Sequence, residues 1–447
     1  MSQATESLEE FNDPSAVQRP EDGVSKRAVI AGAIGNFVEW YDFVLYGASA
    51  PILARVFFPQ SDPDVALMAT FATFGIAFVA RPFGAFVLGN LGDVAGRRNV
   101  LATMVLLMSV GTAAIALLPS YFQIGLWAPL LLVVVRALQG FTAGGEFGGA
   151  ATFIVEYAPQ DKRGRYGSWQ TATVGLGSAT ATAIVFLFTA TLSPDQLDTW
   201  GWRIPFALAL PLGLIGLYMR LQLEDTPDYQ RIAELKREMK VKPSVPVVDA
   251  IRYHWRLILL GAMIVTGGTV STYVFHNYIP AYLSTTLHVP LYTALGGNLA
   301  GLLIYSAATL YWGALSDRFG RKPFIIGGAV ALLALMYPIF YFDQIGSFAA
   351  IAAGQAAFGV CASAIMGLVP TLLSEFFPTT VRMSALSVAY TLANALFGGT
   401  APFVVLWLVR ITGTPAVAVF YCAGALLLTL IGAIIIRETA RLPLREV

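Results

Sequence analysis

Charge is scarce in this chain. Only 12% of its 447 residues are Asp, Glu, Lys or Arg, against about 25% in an ordinary soluble domain. A water-facing surface of this size cannot be built from so few charges. Cysteine is scarcer still. Cys361 and Cys422 each sit in a long apolar run, which excludes a disulfide scaffold. Three scattered histidines and two cysteines give no metal site. Neither sign of charge prevails, since the formal net charge is +1, so no nucleic-acid partner is expected. No Gly-x-x-x-x-Gly-Lys-Ser/Thr loop is present to hold a nucleotide. No catalytic set, no metal and no cofactor are expected, and the chain does not read as an enzyme. What is abundant is apolar: 56% of the residues are hydrophobic and the mean hydropathy is +0.67. That excludes disorder and points to an all-α protein that crosses the lipid bilayer many times.

Runs and breakers give twelve spans: 28–57, 66–91, 99–118, 127–157, 166–192, 204–222, 256–285, 291–315, 323–342, 347–376, 384–409 and 414–436. Backbone groups in lipid must bond within their own segment, so the spans are helices. The acidic first 25 residues show no short apolar core with a cleavage site, and no signal peptide is expected. Twelve spans put both ends on one side. The loops of that side and the helix ends beside them carry 23 of the 28 Lys and Arg. Both termini are therefore expected in the cytoplasm of a bacterial-type inner membrane.

The chain repeats itself. Gly89-Asn90-Leu91-Gly92-Asp93-Val94-Ala95-Gly96-Arg97-Arg98 returns as Gly313-Ala314-Leu315-Ser316-Asp317-Arg318-Phe319-Gly320-Arg321-Lys322, an offset of 224 residues. Glu156-x-x-Pro159-x-x-x-Arg163 returns as Glu375-x-x-Pro378-x-x-x-Arg382, at an offset of 219. The expected organisation is a tail (1–25), a six-helix bundle (26–222), a linker (223–255), a second six-helix bundle (256–437) and a tail (438–447). Parallel repeats of this kind suit a transporter with its substrate between the halves. A carboxylate at Asp93 or Asp317 can face a neighbouring helix N-terminus, and the arginines beside it can reach a helix-end carboxylate. Asp93, Arg97, Arg98, Glu156, Asp317, Arg321 and Glu375 are thus candidates for a conformational latch, the plain alternative being a topology anchor.

These repeated loops resemble those of the major facilitator superfamily. Further segments resemble its metabolite:H⁺ symporter family: Gly35-Asn36-Phe37-Val38-Glu39-Trp40-Tyr41-Asp42-Phe43, Arg81-Pro82-Phe83-Gly84, Arg136-x-x-Gln139-Gly140 with Gly144-Gly145-Glu146, and Trp200-Gly201-Trp202-Arg203-Ile204-Pro205-Phe206. The resemblance runs from about 28 to 440. It implies the two-bundle, twelve-helix fold and import of a small carboxylate with protons, the family's substrates including proline, glycine betaine, 2-oxoglutarate, citrate and shikimate. Leu212-Gly213-Leu214-Ile215-Gly216-Leu217-Tyr218 and Arg437-Glu438-Thr439-Ala440 lean towards the osmolyte members. Phe397-Gly398-Gly399-Thr400-Ala401-Pro402 looks more like the organic-acid members, and an end at Val447 without the long C-terminal coiled coil of the osmosensory members counts against the first lean.

An ionisable residue inside a span costs at least about 2.5–3.5 kcal/mol to insert, so each is a functional candidate. Asn36, Glu39, Asp42 and Tyr46 share one helical face. Asp42 near the midplane, Glu39 and Glu146 are the proton-coupling candidates. Arg136 is a fixed positive charge able to exchange Asp42 for a substrate carboxylate, unless it is locked in a permanent bridge. Glu146 is a second proton site or the partner of Arg81. Substrate-binding candidates are Arg136, Arg81, Asn36, Tyr46, Tyr273, His276 and Asn277. Trp40, Tyr41, Tyr46, Tyr273, Phe275 and Tyr278 can offer rings to a quaternary ammonium. The second half reads as nearly charge-free inside, with Gln355 and Asn394 as further polar groups. A monomer importing a carboxylate with protons is the expectation. The rivals are a proton-coupled exporter and a non-transporting sensor.

Overall fold

The computed structural model describes residues 22–59, 62–95, 97–144, 146–221, 246–378, 381–442 and 444, with the backbone alone over 22–33 and 89–99 and at 101, 220, 246 and 249. The side chains of Asp93, Arg97 and Arg98, the tail at 1–21 and most of the linker (222–245) lie outside the described residues.

Twelve helical spans follow one another, and no strand occurs among the described residues. The first is Asp22–Ala48 with Ala50–Phe57; then come Pro63–Ala95, Arg97–Leu117, Trp127–Thr142 with Glu146–Tyr157, Arg163–Thr191, and a sixth ending in Ala209–Leu221. The second half has Pro246–Tyr273 continuing to Thr285, Leu291–Phe319, Lys322–Gln344, Phe348–Met366 with Val369–Phe376, Arg382–Ala393 continuing to Thr412, and Val417–Ile435. Ten of these helices are long and apolar enough to cross a membrane. The remaining two are the first span and the third, whose apolar stretch Ala102–Leu117 is shorter.

Breaks occur where the sequence removes a donor. Pro51 has no N–H to return to Gly47, and the first span kinks at Ser49. Pro280 likewise cannot bond the His276 carbonyl, and a π turn, Val274–Tyr278, precedes it. A second π turn, Asn394–Gly398, interrupts the eleventh span. Most boundaries fall within a few residues of the expectation, and the start of the seventh span differs most. Helix begins at Pro246, inside the segment read as linker, and turns at His254, where φ is −122° and ψ 19°. Proline's fixed φ suits a helix start, and the turn separates this short piece from the span proper.

The polarity is inverted relative to a soluble protein. Phe83, Leu117 and Phe420 stand two-thirds or more exposed, whereas Glu39, Asp42, Arg81, Arg136 and Glu146 are buried. Exposed apolar rings suit lipid, and buried charge needs partners inside. The six-helix bundles meet along the fifth and eighth spans. There, a side chain on Gly164 would collide with the Gly313 carbonyl, and one on Gly175 with Ser306. Small residues let the backbones approach.

Candidate functional site

A cavity lies between the bundles. The first half supplies Trp40, Phe147, Thr171 and Ser178, and the second supplies Tyr273, His276, Asn277, Tyr305, Met366 and Tyr390. Rings close it from both sides. Trp40 stacks on Tyr273 at 5.9 Å, and Phe147 lies flat on Tyr390 at 3.5 Å. The space open to water centres is about 30 Å³, room for two or three waters but not for a solute. Three polar atoms on or beside it have no hydrogen-bond partner: Tyr273 Oη, His276 Nε2 and Asn277 Oδ1. Buried polar atoms of this kind are normally satisfied, and here a solute or water in the cavity can do so.

Beside the cavity, inside the first half, sits the charge cluster. Arg81 Nη2 pairs with Glu39 Oε1 at 2.8 Å, and both side chains are buried. The Arg81 guanidinium lies over Phe43 at 4.2 Å and Phe78 at 4.6 Å. Arg136 lies over Tyr46 at 4.3 Å and gives Nη1 to Gln139 Oε1 at 3.1 Å, while its Nε and Nη2 have no hydrogen-bond partner. Desolvated cation–π contacts of this kind are worth about 2 kcal/mol each, which offsets part of the burial cost. Asp42 is 1% exposed and neither of its oxygens makes a hydrogen bond. Its neighbour Thr112 is already engaged, donating to the Met108 carbonyl at 3.1 Å and accepting from Gln139 Nε2 at 2.5 Å. Tyr273 links cluster and cavity, touching Phe74 at 5.8 Å and Phe78 at 5.2 Å.

At the end carrying the repeated loops, the halves are tied by charge. Asp317 accepts from the Gly164 N–H at 2.7 Å and the Arg165 N–H at 2.9 Å, capping the fifth span from the opposite half. Arg321 holds Asp317 at 2.7 Å and Glu375 at 3.1 Å. Glu156 pairs with Arg382 across the halves at 2.5 Å. The following tail joins in. Glu438 accepts from the Arg321 and Lys322 N–H groups at 2.9 and 3.0 Å, and Arg163 donates to the Leu442 carbonyl at 2.9 Å.

The candidates therefore divide. Tyr273, His276 and Asn277 line the cavity. Arg81, Glu39, Arg136, Asp42 and Tyr46 form the cluster behind it, and Tyr46 donates to the Thr70 carbonyl at 3.2 Å. Asn36 instead ties the first span to the fifth, donating to the Gln170 carbonyl at 2.8 Å. Glu146 is buried at the start of Glu146–Tyr157. Three ring residues of the cavity were not singled out from sequence: Phe147, Tyr305 and Tyr390. Asp343 was missed altogether. It is fully buried and accepts from Gln355 Nε2 at 2.8 Å. It stands one residue beyond the span read as 323–342, because the helix continues to Gln344.

Comparison with known proteins follows the same lines. The family described as sugar (and other) transporter matches residues 28–447. A glycine betaine/proline/ectoine/pipecolic acid transporter of Dickeya dadantii is 38% identical over 433 residues, 95% of this chain and 86% of the relative. A proline/betaine transporter of Escherichia coli is 37% identical over the same shares. Among solved structures, the xylose transporter XylE from E. coli in a partially occluded inward-open conformation superposes with a TM-score of 0.73 at 21% identity. That match covers 94% of this chain and 99% of the other. XylE bound to 6-bromo-6-deoxy-D-glucose gives 0.74 at 19%, covering 96% and 99%.

Proposed function

The chain belongs to the sugar (and other) transporter family of the major facilitator superfamily, and on that premise we propose that it imports a small zwitterionic osmolyte of the proline–betaine kind, together with protons, by alternating access. The observation that carries this reading is the ring-lined cavity between the halves. Trp40, Tyr273, Phe147 and Tyr390 can enclose an ammonium by cation–π contact. Relatives that share 95% of the chain carry proline, betaine, ectoine and pipecolic acid in their names, which supports the same substrate class over di- and tricarboxylic acids.

The protein's own groups suggest the sequence of events. A solute enters from the side opposite the repeated loops and its ammonium settles among the rings. Its carboxylate turns towards Tyr273 and the positive charges behind it. Asp42 takes a proton, which removes a buried negative charge from the cluster and leaves the unpartnered Nε and Nη2 of Arg136 to answer the solute's charge. The halves then rock, and the Asp317 and Glu156 contacts open on the cytoplasmic side, where both termini lie. No nucleotide is consumed, so the proton gradient drives accumulation.

The test is flux. Purified protein in proteoliposomes, alkaline inside, should accumulate labelled proline or glycine betaine above the external concentration, and a protonophore should abolish this. Excess citrate, 2-oxoglutarate or shikimate should not compete. Uptake that ignores the pH gradient would remove the proton from the reading. Competition by citrate but not proline would replace the substrate class.

A further inference from the structure

His276 offers the solute a bare acceptor nitrogen, and the way it is held leaves no alternative. Its Nδ1 lies 2.8 Å from Asn298 Oδ1, and Asn298 Nδ2 lies 3.0 Å from the His276 backbone carbonyl. A carbonyl only accepts, so the Asn298 atom facing it must be the amide nitrogen. The other end of that amide is then an oxygen, which also only accepts. The imidazole must therefore donate from Nδ1. A neutral imidazole has one N–H, and that one is spent. Nε2 keeps a lone pair, has no partner, and belongs to a residue lining the cavity. A charged ring there would be costly, because it is buried against Phe358 at 5.2 Å and no carboxylate pairs with it among the described residues. The arrangement is prepared by the chain: Pro280 cannot bond the His276 carbonyl, which leaves that carbonyl open to Asn298.

Asn277 also lines the cavity, but its Oδ1 packs against Gly47 of the first span, so Nε2 is the acceptor the solute meets. A bare acceptor on a residue of a ring-lined space recognises a donor. A quaternary ammonium has rings to rest on but no N–H to give. A secondary or tertiary ammonium has both. We propose that His276, oriented by Asn298, is the specificity residue that favours solutes whose ammonium carries an N–H over fully methylated ones. This rests on the assignment of the cavity to a zwitterionic solute, and adds to it a preference within that class. Asn298 acts as a positioning residue: it fixes the tautomer without touching the solute.

The test is a methylation series on one skeleton: proline, N-methylproline and N,N-dimethylproline, bearing two, one and no N–H groups. Equilibrium binding to the purified full chain is read by displacement of labelled proline. A hydrogen bond from a charged donor is worth about 1.5–3 kcal/mol, or roughly tenfold to a hundredfold in affinity. The wild type should therefore bind the first two at least tenfold more tightly than the third. His276→Leu keeps bulk and removes the acceptor, so the ratio should fall to within about threefold. Asn298→Leu releases the tautomer, lets Nε2 carry the proton, and should also collapse the ratio. It takes over as the test if His276→Leu folds poorly. A flat series in the wild type, or a ratio that survives both changes, overturns the inference while proline still binds. If proline does not bind and an organic acid does, the assignment of the cavity fails, and this inference with it.

Discussion

Removing the Asp317 carboxylate should loosen one end of the molecule by a predictable amount. Among the described residues, two of its contacts cross between the halves, those to the Gly164 and Arg165 N–H groups. The pair with Arg321 stays within one half and does not change when the halves part. Charge-assisted hydrogen bonds contribute about 1.5–3 kcal/mol each when buried. Opening rehydrates all three partners and Arg165 is at the surface, so the two together should favour closure by about 2–3 kcal/mol, or roughly 30- to 150-fold in population. The perturbation is Asp317→Ala. The assay is maleimide labelling of Ser168→Cys in a background lacking Cys361 and Cys422. Ser168 is fully buried in the seam between the halves, against Gly313. Labelling is limited by the open fraction, so its rate should rise by that factor. A rate within twofold of the parent would refute the reasoning and reduce Asp317 to a topology anchor.

Further outcomes follow from other contacts. Asp42→Asn should abolish accumulation driven by a pH gradient while allowing solute exchange, read as counterflow in the same vesicles. Gly164→Val places a side chain against the Gly313 carbonyl, so it should raise Ser168→Cys labelling with no change in charge, through an overpacking cost of about 1–3 kcal/mol. Glu438 is partly buried. Burial alone would raise its pKa, but four backbone N–H groups, from Arg321, Ala440, Lys322 and Thr439, hold it below its ordinary 4.5. Its folded pKa is depressed, so its contribution is present above about pH 4.5 and lost as pH falls through the folded value. Thermal stability of Glu438→Gln should therefore sit below wild type at pH 7, and the gap should close in acid.

The sequence exposed the architecture because lipid leaves few choices. Long apolar runs must be helices, and the repeat at 89–98 and 313–322 marks the two halves without any three-dimensional information. The buried charges of the first half were equally visible, since Asp42 and Arg136 stand out in apolar surroundings, whereas Asp343, one residue past the span as read, was not. Their partners were not. Helical spacing says that Glu39 and Asp42 share a face, but only the packing of the second span decides that Arg81 reaches Glu39. The cavity rings were hidden for a different reason. A helix that is hydrophobic all round gives no signal of which face looks inward, so Phe147 and Tyr390 are indistinguishable by pattern from rings that meet lipid. His276 was visible as a polar residue. Its tautomer depends on Asn298, in another helix and 22 positions away.

The glycine- and serine-lined seam along the fifth and eighth spans bears on speed as much as on shape. Under the proposed rocking of the halves, each transport cycle unmakes and remakes that surface. Long side chains would have to leave and re-enter fixed rotamers every time, at up to about 2 kcal/mol apiece. Gly164, Gly175 and Gly313 have no rotamers to lose, and Ser168 and Ser306 have few. The two helices can therefore roll over one another as smooth cylinders, with little frictional barrier between neighbouring positions. On this view the seam is a bearing. Its smoothness sets how quickly the molecule turns over, and the charged ties at its end set where it pauses.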